Sequence, residues 1–337
     1  MIGVRFAEPA ADPFGERRRA RFTERMQLLG TRFTFETNSA QLLRLVRHAY
    51  AALPPHRLPG RGPRARVQLT LTAARGARGT PAPVQPLAAP GLACGVSMGS
   101  SLAAIAPSER SALIVVPHEL LRFPYNVRYE LLEFAVYTLA ARIQGLVPLH
   151  AACVGRDGRG VLLVGPSGSG KSTLTLHCLL HGLDFLAEDS VLVEPRTLRA
   201  SGVASFLHLR PDSLRFLDAR TARAVRAAPV IRRRSGIAKF ELDLRRLRCH
   251  LAPAPLRIVA TVFLSPAPPG KRCRISPLSP ARLAARLAAE QRYAAGQPGW
   301  RLFGQRVARL PAFRLRRGPH PLEAVEVLEE LLRRTGG

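Results

Sequence analysis

The chain has 337 residues, a length that favours about two domains over one small core. Hydrophobic residues make up 47% and charged residues 22%, which excludes a disordered chain. A net charge of +28 is compatible with nucleic-acid binding. However, all but three of the 51 basic residues are arginines scattered along the chain, and aromatic residues reach only 6%. Composition therefore argues against a nucleic-acid partner and leaves an acidic protein or peptide partner open.

Neither a disulfide framework nor a membrane span is predicted. The five cysteines lie far apart, without CxxC or histidine-rich spacing, so we expect buried, reduced thiols. Arg5, Glu8 and Asp12 are charged where a secretory signal needs an apolar run. The longest uncharged stretch, residues 79–108, contains five prolines and is not a membrane helix. These features predict a cytoplasmic location.

The first 145 residues are predicted to form a smaller N-terminal α+β domain, for which we expect substrate or partner recognition. Residues 1 to about 30 are polar and Arg-rich, and Arg17–Arg19 is typical of a solvated helix face. Residues 54–66 and 74–108 are rich in proline, glycine and arginine and are predicted to be links between elements. The predicted elements are a strand at 33–35, a helix capped by Asn38 or Ser39 with Leu42, Leu43, Val46 and Tyr50 on its apolar side, strands at 67–71 and 113–116, and a helix over 127–144.

From residue 146 to residue 337 the pattern changes to short apolar strands broken by tight turns. The segment opens with a strand at 147–154, a turn at 156–160 and a buried strand at 161–164. Later strands are predicted near 190–194, 206–209, 258–264 and 312–315, with helices near 280–294 and 322–334. This order predicts an α/β domain with a mixed sheet and flanking helices.

Residues 165–172 match the P-loop pattern GxxxxGK[ST] between a predicted strand and a predicted helix. Glycines in such a loop let backbone N–H groups point at phosphate oxygens, and the helix N-terminus adds its positive end. We expect Lys171 to reach the β and γ phosphates and Ser172 to bind Mg²⁺. The predicted nucleotide-binding residues are Gly165, Pro166, Ser167, Gly168, Ser169, Gly170, Lys171, Ser172 and Thr173. ATP with Mg²⁺ is therefore the expected cofactor, although GTP fits the same pattern.

Two adjacent acids, Glu188 and Asp189, follow the apolar residues 185–187, one helix-length after the loop. At the end of the next strand they face the phosphates, where one can order metal-bound water while the other accepts a proton from an attacking hydroxyl. An acidic turn between strands is the alternative. His150 ends the strand before the hairpin, and from the residues alone a structural histidine is the commoner interpretation there.

Taken together, His150, the loop 165–172 and the acid pair after an apolar strand resemble the C-terminal kinase domain of HPr kinase/phosphorylase. That family shares its nucleotide-binding fold with phosphoenolpyruvate carboxykinases. The resemblance covers residues 146 to about 215. It implies a kinase acting on a serine hydroxyl, with Glu188 as general base, Asp189 near magnesium beside Ser172, and His150 close to the first acid.

Three departures from the family pattern stand out. The family's acid pair is Asp-Asp, whereas Glu188 is one methylene longer. Thr173 occupies the position of a second metal-binding acid. The family's Glu-x-Arg-Gly-x-Gly motif has no match, and the nearest basic loop is residues 232–239. These departures resemble divergent relatives encoded with peptide-tailoring systems such as lasso peptide pathways, which implies a peptide acceptor.

The sequence thus predicts an ATP- and Mg²⁺-dependent kinase that phosphorylates a serine on a protein or peptide, with Glu188, Asp189, His150 and Lys171 as catalytic residues. A non-catalytic nucleotide-binding regulator or scaffold is the first alternative, and the glutamate at position 188 favours it. A small-molecule kinase is the second. Homo-oligomerisation is compatible with the sequence and is not specified by it.

Overall fold

The computed structural model describes residues 21–56, 62–73, 85–89, 91–97, 101–232, 236–247 and 249–334. These residues form a mixed α/β structure with three sheets and flanking helices. The predicted helix face at Arg17–Arg19 and residues 233–235 of the basic loop lie outside the described residues.

The first sheet has seven strands. They are β1 (Phe22–Leu28), β2 (Thr31–Thr37), β3 (Arg64–Thr72), β4 (Gln85–Ala89), β5 (Leu92–Ser97), β6 (Ser101–Ala106) and β7 (Ser111–Pro117). Their order in the sheet is β1-β2-β3-β7-β6-β5-β4. Strand β3 pairs in parallel with both β2 and β7, and the other pairs are antiparallel.

Two helical segments cover this sheet. Helix α1 (Ala40–Tyr50) begins at Ser39, whose hydroxyl accepts the N–H groups of Gln41 and Leu42, as the cap prediction requires. A second segment runs through α2 (Pro124–Asn126), a π-helical stretch (Val127–Glu133) and α3 (Phe134–Gln144). It ends at Gly145, whose φ of +64° suits glycine. The buried faces of these helices pack on the apolar side of β2, β3 and β7.

The second sheet has nine strands. They are β8 (Val147–Leu149), β9 (Ala152–Arg156), β10 (Arg159–Val164), β11 (Asp184–Ala187), β12 (Val191–Val193), β13 (Arg199–Gly202), β17 (Leu256–Leu264), β18 (Arg274–Pro277) and β19 (Ala312–Arg316). The core order is β11-β9-β10-β17-β13-β12-β8, with β19 pairing β17 and β18. Strand β10 lies near the centre of the sheet, parallel to β17 and antiparallel to β9.

A small antiparallel sheet and six helices complete the structure of the described residues. The sheet has the order β14-β16-β15, with β14 (Phe206–Leu209), β15 (Val230–Arg232) and β16 (Ala238–Asp243). The helices are α4 (Lys171–Leu180), α5 (Ala219–Arg226), α6 (Pro280–Glu290), α7 (Arg292–Ala295), α8 (Trp300–Val307) and α9 (Leu322–Arg334). Short 3₁₀ helices span His118–Arg122, Pro211–Phe216 and Leu244–Arg246.

Two expectations from the sequence need correction. Residues 74–108 are not a plain link, because their described part forms β4, β5 and β6, and in β6 buried side chains alternate with half-buried ones. The strand expected over 147–154 is interrupted at His150. There the backbone N–H and C=O bond to the side chain of Gln291 instead of to a neighbouring strand. Gln291 also breaks the helix expected over 280–294 into α6 and α7.

Candidate nucleotide-binding and phosphoryl-transfer site

The segment that matched the P-loop pattern, called here the phosphate loop (Gly165–Ser172), connects buried β10 to α4. Gly168 and Gly170 have φ of +84° and +95°, which only glycine adopts at little cost. A Cβ on Gly170 would also lie 2.9 Å from Nη1 of Arg317. The loop therefore brings the free N–H groups at the start of α4 into a tight turn, which is an anion-binding geometry.

Lys171 is the first residue of α4 and is only 7% exposed. Its ammonium donates hydrogen bonds to the carbonyl oxygens of Gly165 at 2.5 Å and Pro166 at 3.4 Å. Burial lowers the pKa of Lys171, while the nearby carboxylates of Asp189 and Glu188 act in the opposite direction. A buried cation inside the curve of the loop is suited to neutralise a phosphate.

Ser172 and Glu188 join the phosphate loop to the acid pair. The Ser172 hydroxyl donates a hydrogen bond to Oε1 of Glu188. Oε2 of Glu188 accepts the backbone N–H of His208 at 2.8 Å, and the side chain is 4% exposed. Burial raises the pKa of Glu188, but its hydrogen bond and charge interaction with His208 outweigh burial and lower the pKa overall. Glu188 is thus a buried carboxylate held at both oxygens.

Asp189 is the more exposed acid, with 22% of its side chain accessible. The hydroxyl of Tyr129 donates to Oδ2 at 3.0 Å, and Nδ1 of His150 lies 3.2 Å from Oδ1. The His150 side chain is 55% exposed. The structure therefore brings His150 to the second acid, whereas the family resemblance implied a position close to the first.

A buried chain of charged groups extends from Glu188. Nδ1 of His208 lies 3.3 Å from Glu188, and Nε2 lies 3.2 Å from Glu241. Glu241 accepts a hydrogen bond from Arg128 at 2.5 Å, and the Arg128 guanidinium stacks 4.0 Å above the ring of Phe206. The pairing of β14 with β16 sets His208 opposite Glu241. The sequence analysis did not predict these residues, because no sequence motif indicates a pairing between distant strands.

The phosphate loop and the acid pair line one cavity of about 430 Å³, within the usual range for ligand pockets. Besides Lys171, its basic lining residues are Arg210, Arg215, Lys239 and Arg317. Arg317 follows β19, and its Nε is buried with no hydrogen-bond partner among the described residues. Burial and the nearby Arg215 lower the pKa of Arg317. This cationic wall suits a polyanion, and no sequence motif pointed to Arg317.

Two further sequence predictions fall on the rim of this cavity. Thr173, which the sequence places among the nucleotide-binding residues, bonds through its hydroxyl to Ser213 at 2.8 Å. Within the basic loop 232–239, Ile237 and Lys239 line the cavity. The three residues between Arg232 and Gly236 are not among those described.

The oxygen donors beside the loop fit a Mg²⁺ ion bound together with phosphates better than a metal held entirely by protein side chains. No group of three or more His, Cys, Asp or Glu side chains among the described residues is arranged to hold a metal ion. Mg²⁺ keeps most of its waters and takes one or two protein oxygens plus substrate phosphates. Ser172 lies against Glu188 at the phosphate loop and Asp189 is adjacent in sequence, which meets that requirement. Among the described helices, none combines the length and the hydrophobicity that a membrane-spanning segment needs.

No protein-family model matches the chain, and no curated protein matches it. Among solved structures, the Hpr(Ser) kinase/phosphatase from Coxiella burnetii aligns with 56% of this chain and 88% of its own chain. The identity is 14% and the TM-score is 0.27.

Proposed function

We propose that this chain is a Mg²⁺-dependent kinase that transfers the terminal phosphoryl group of ATP to a serine hydroxyl on a protein or peptide. It is, in this proposal, a divergent member of the HPr-kinase-like group, with residues 146–337 as the kinase domain and residues 1–145 as the recognition domain. The supporting observation is the contact of the phosphate loop, through Ser172, with an acid pair whose second member opens to the same cavity.

The phosphate loop would hold the triphosphate. Its N–H groups and Lys171 supply the positive charge, and Arg317 adds a guanidinium beside Gly170. Bound Mg²⁺ would neutralise charge on the transferring phosphoryl group, and the Ser172 hydroxyl, which contacts Glu188, is the protein oxygen that would hold it.

The two carboxylates divide the remaining work. The sequence-based assignment of proton acceptance to Glu188 stays a prediction, and its deep burial and its bonds to Ser172 and His208 limit access by an attacking hydroxyl. Asp189 is more accessible and is positioned by Tyr129 and His150. We therefore favour Asp189 as the proton acceptor and Glu188 as the group that orients Ser172.

A second cavity of about 390 Å³ gives the acceptor its own approach to Asp189. It shares Tyr129, His150 and Asp189 with the first cavity, and its described lining includes no residue of the phosphate loop. A side chain of an acceptor can therefore reach Asp189 without crossing the bound triphosphate. A groove of this size is compatible with a peptide segment.

Incubation of the purified chain with γ-labelled Mg·ATP and a panel of serine-containing peptides tests the proposal. Each peptide is paired with its serine-to-alanine version as the matched acceptor control. Label on the serine peptide alone supports a serine kinase. ATP binding without label on any peptide or small hydroxyl compound would contradict the kinase and favour a regulator.

One observation favours that second candidate, a regulator that binds nucleotide without transferring phosphate. Glu188 has both oxygens engaged and is almost fully buried. If Glu188 is the only group able to accept the proton of an attacking hydroxyl, this site binds nucleotide but does not transfer its phosphoryl group. The labelling assay separates the two candidates, because a regulator binds ATP and transfers label to no acceptor.

A further inference from the structure

Three aromatic rings form a packed cluster at the edge of the larger cavity. The ring centroids of His177 and His320 are 5.4 Å apart, those of Phe216 and His320 are 5.5 Å apart, and those of His177 and Phe216 are 6.4 Å apart. All three pairs are close to perpendicular, the edge-to-face geometry that aromatic pairs prefer.

The inner member of the cluster is uncharged at neutral pH. His177 lies on α4 and is buried. Burial, together with the nearby His320 and His181, lowers the pKa of His177 to about 4. The outer rings, Phe216 and His320, both line the cavity. His320 is fixed by the N–H of Leu322, which donates to its Nδ1 at 3.2 Å.

The planar, positively charged guanidinium of Arg215 lies over one of the outer rings, that of Phe216. The guanidinium of Arg215 stands 4.6 Å from the centre of the Phe216 ring, and Arg215 also lines the cavity. A guanidinium stacked on an aromatic ring has a second face, and nucleic-acid bases stack on such planes. Aromatic side chains such as Phe and His also stack bases with little dependence on sequence.

The cluster and the acid pair lie on different flanks of α4. Ser172 bonds to Glu188, whereas the next residue, Thr173, bonds to Ser213, three positions before Phe216. Successive residues of an α-helix point about 100° apart. The first turn of α4 therefore separates the acidic side of the cavity from its aromatic side.

We propose that the wall formed by Arg215, Phe216 and His320, called here the base wall, is the subsite for the base of the bound nucleotide. This inference rests on the proposed nucleotide binding and names where the non-phosphate end of the ligand lies. The phosphates occupy the loop, the terminal phosphoryl faces the acids, and the base stacks on the Arg215 guanidinium and the neighbouring rings.

The test compares two ligands, Mg·ATP and Mg·tripolyphosphate, which share the polyphosphate and differ in the nucleoside. Calorimetry measures the dissociation constant of each for the parent protein and for Arg215→Ala and Phe216→Ala. Arg223→Ala, an exposed arginine on α5, is the matched control. We expect each base-wall variant to weaken ATP binding by about 10-fold to 100-fold, the range that stacking of one base represents. Tripolyphosphate binding should stay within about 2-fold in Phe216→Ala, which removes no charge from the cationic wall, and this also shows that the variant is folded.

Three outcomes overturn the inference. If both base-wall variants bind ATP as tightly as the parent and Arg223→Ala, the base lies elsewhere while nucleotide binding stands. If the variants lose ATP and tripolyphosphate equally, Arg215 and Phe216 act on the phosphates or on the fold. If the parent protein binds neither ligand, the proposed function fails and the base wall with it.

Discussion

Ser172 at the start of α4 donates a hydrogen bond to Glu188, which directly follows β11. Strands β10 and β11 are both antiparallel to β9, so they run in the same direction and end at the same edge of the sheet. The phosphate loop follows β10 and the acid pair follows β11. Strand topology therefore brings the two motifs together, at the sheet edge where α/β proteins commonly bind ligands.

Replacement of Lys171 by alanine should abolish tight triphosphate binding, because it removes the buried ammonium inside the phosphate loop. Calorimetry with Mg·ATP measures the effect. Lys271→Ala is the matched control, since Lys271 is exposed and does not line the cavity. Equal ATP affinity in the two variants would mean that the loop does not bind the triphosphate.

The acid pair gives a second prediction. Asp189→Asn should retain Mg·ATP binding and lose about 10²-fold to 10⁴-fold in transfer rate, the usual contribution of a positioned base. Glu188→Gln should mainly raise the Mg²⁺ concentration that transfer requires. The amide oxygen can still accept the hydrogen bond from Ser172, but it lacks the negative charge that orients the Ser172 hydroxyl. Single-turnover transfer at several Mg²⁺ concentrations separates the two effects.

The opposite pattern would return the base role to Glu188. In that case Glu188→Gln abolishes transfer at every Mg²⁺ concentration while Asp189→Asn retains it. Full activity in both variants would remove the acid pair from the mechanism.

The phosphate loop and the hairpin before it were predictable because their signals are local. Gly168 and Gly170 adopt positive φ, as the glycine pattern requires, and β9 and β10 pair across the predicted turn. Ser39 caps α1 for the same local reason. In each case neighbouring residues alone determine the geometry.

The surroundings of the acid pair were not predictable because they depend on contacts between distant segments. Tyr129 reaches Asp189 across 60 positions, and Arg128 reaches Glu241 across 113. Strand β1 was missed since its polar, charged residues hide a half-buried edge strand. Neither a contact between distant segments nor an edge strand of polar residues leaves a clear pattern in a single sequence.

Loss of the buried carboxylate in the chain of charged groups should be costly. Glu241→Gln leaves the Arg128 guanidinium buried without its countercharge, and breaking a buried pair in this way costs about 3–5 kcal/mol. Chemical denaturation at pH 7 measures the free energy of unfolding. Glu330→Gln, which removes an exposed partner of Arg334, should change the free energy of unfolding little. Similar small losses in both variants would show that Glu241 and Arg128 are not a coupled buried pair.

The aromatic cluster makes stability depend on pH through His177. Its pKa is lowered to about 4 in the folded chain, against an ordinary value of about 6.5. Between these values the unfolded chain binds a proton that the folded chain does not, so stability rises with pH. The contribution of His177 is therefore complete above pH of about 6.5 and is lost as the pH falls towards 4.

The measurement is the free energy of unfolding from urea titrations at pH 7, 6 and 5, a window chosen because the buried carboxylates Glu188 and Glu241 titrate below it. His177→Phe keeps an aromatic ring against Phe216 and removes the titrating group. Its stability should fall less between pH 7 and pH 5 than that of the parent. His56, which is also buried with a lowered pKa, leaves a residual slope in both proteins. His118→Phe, at an exposed site, is the control for the loss of a histidine. If His177→Phe and the parent lose the same stability over this window, His177 does not titrate as the cluster requires.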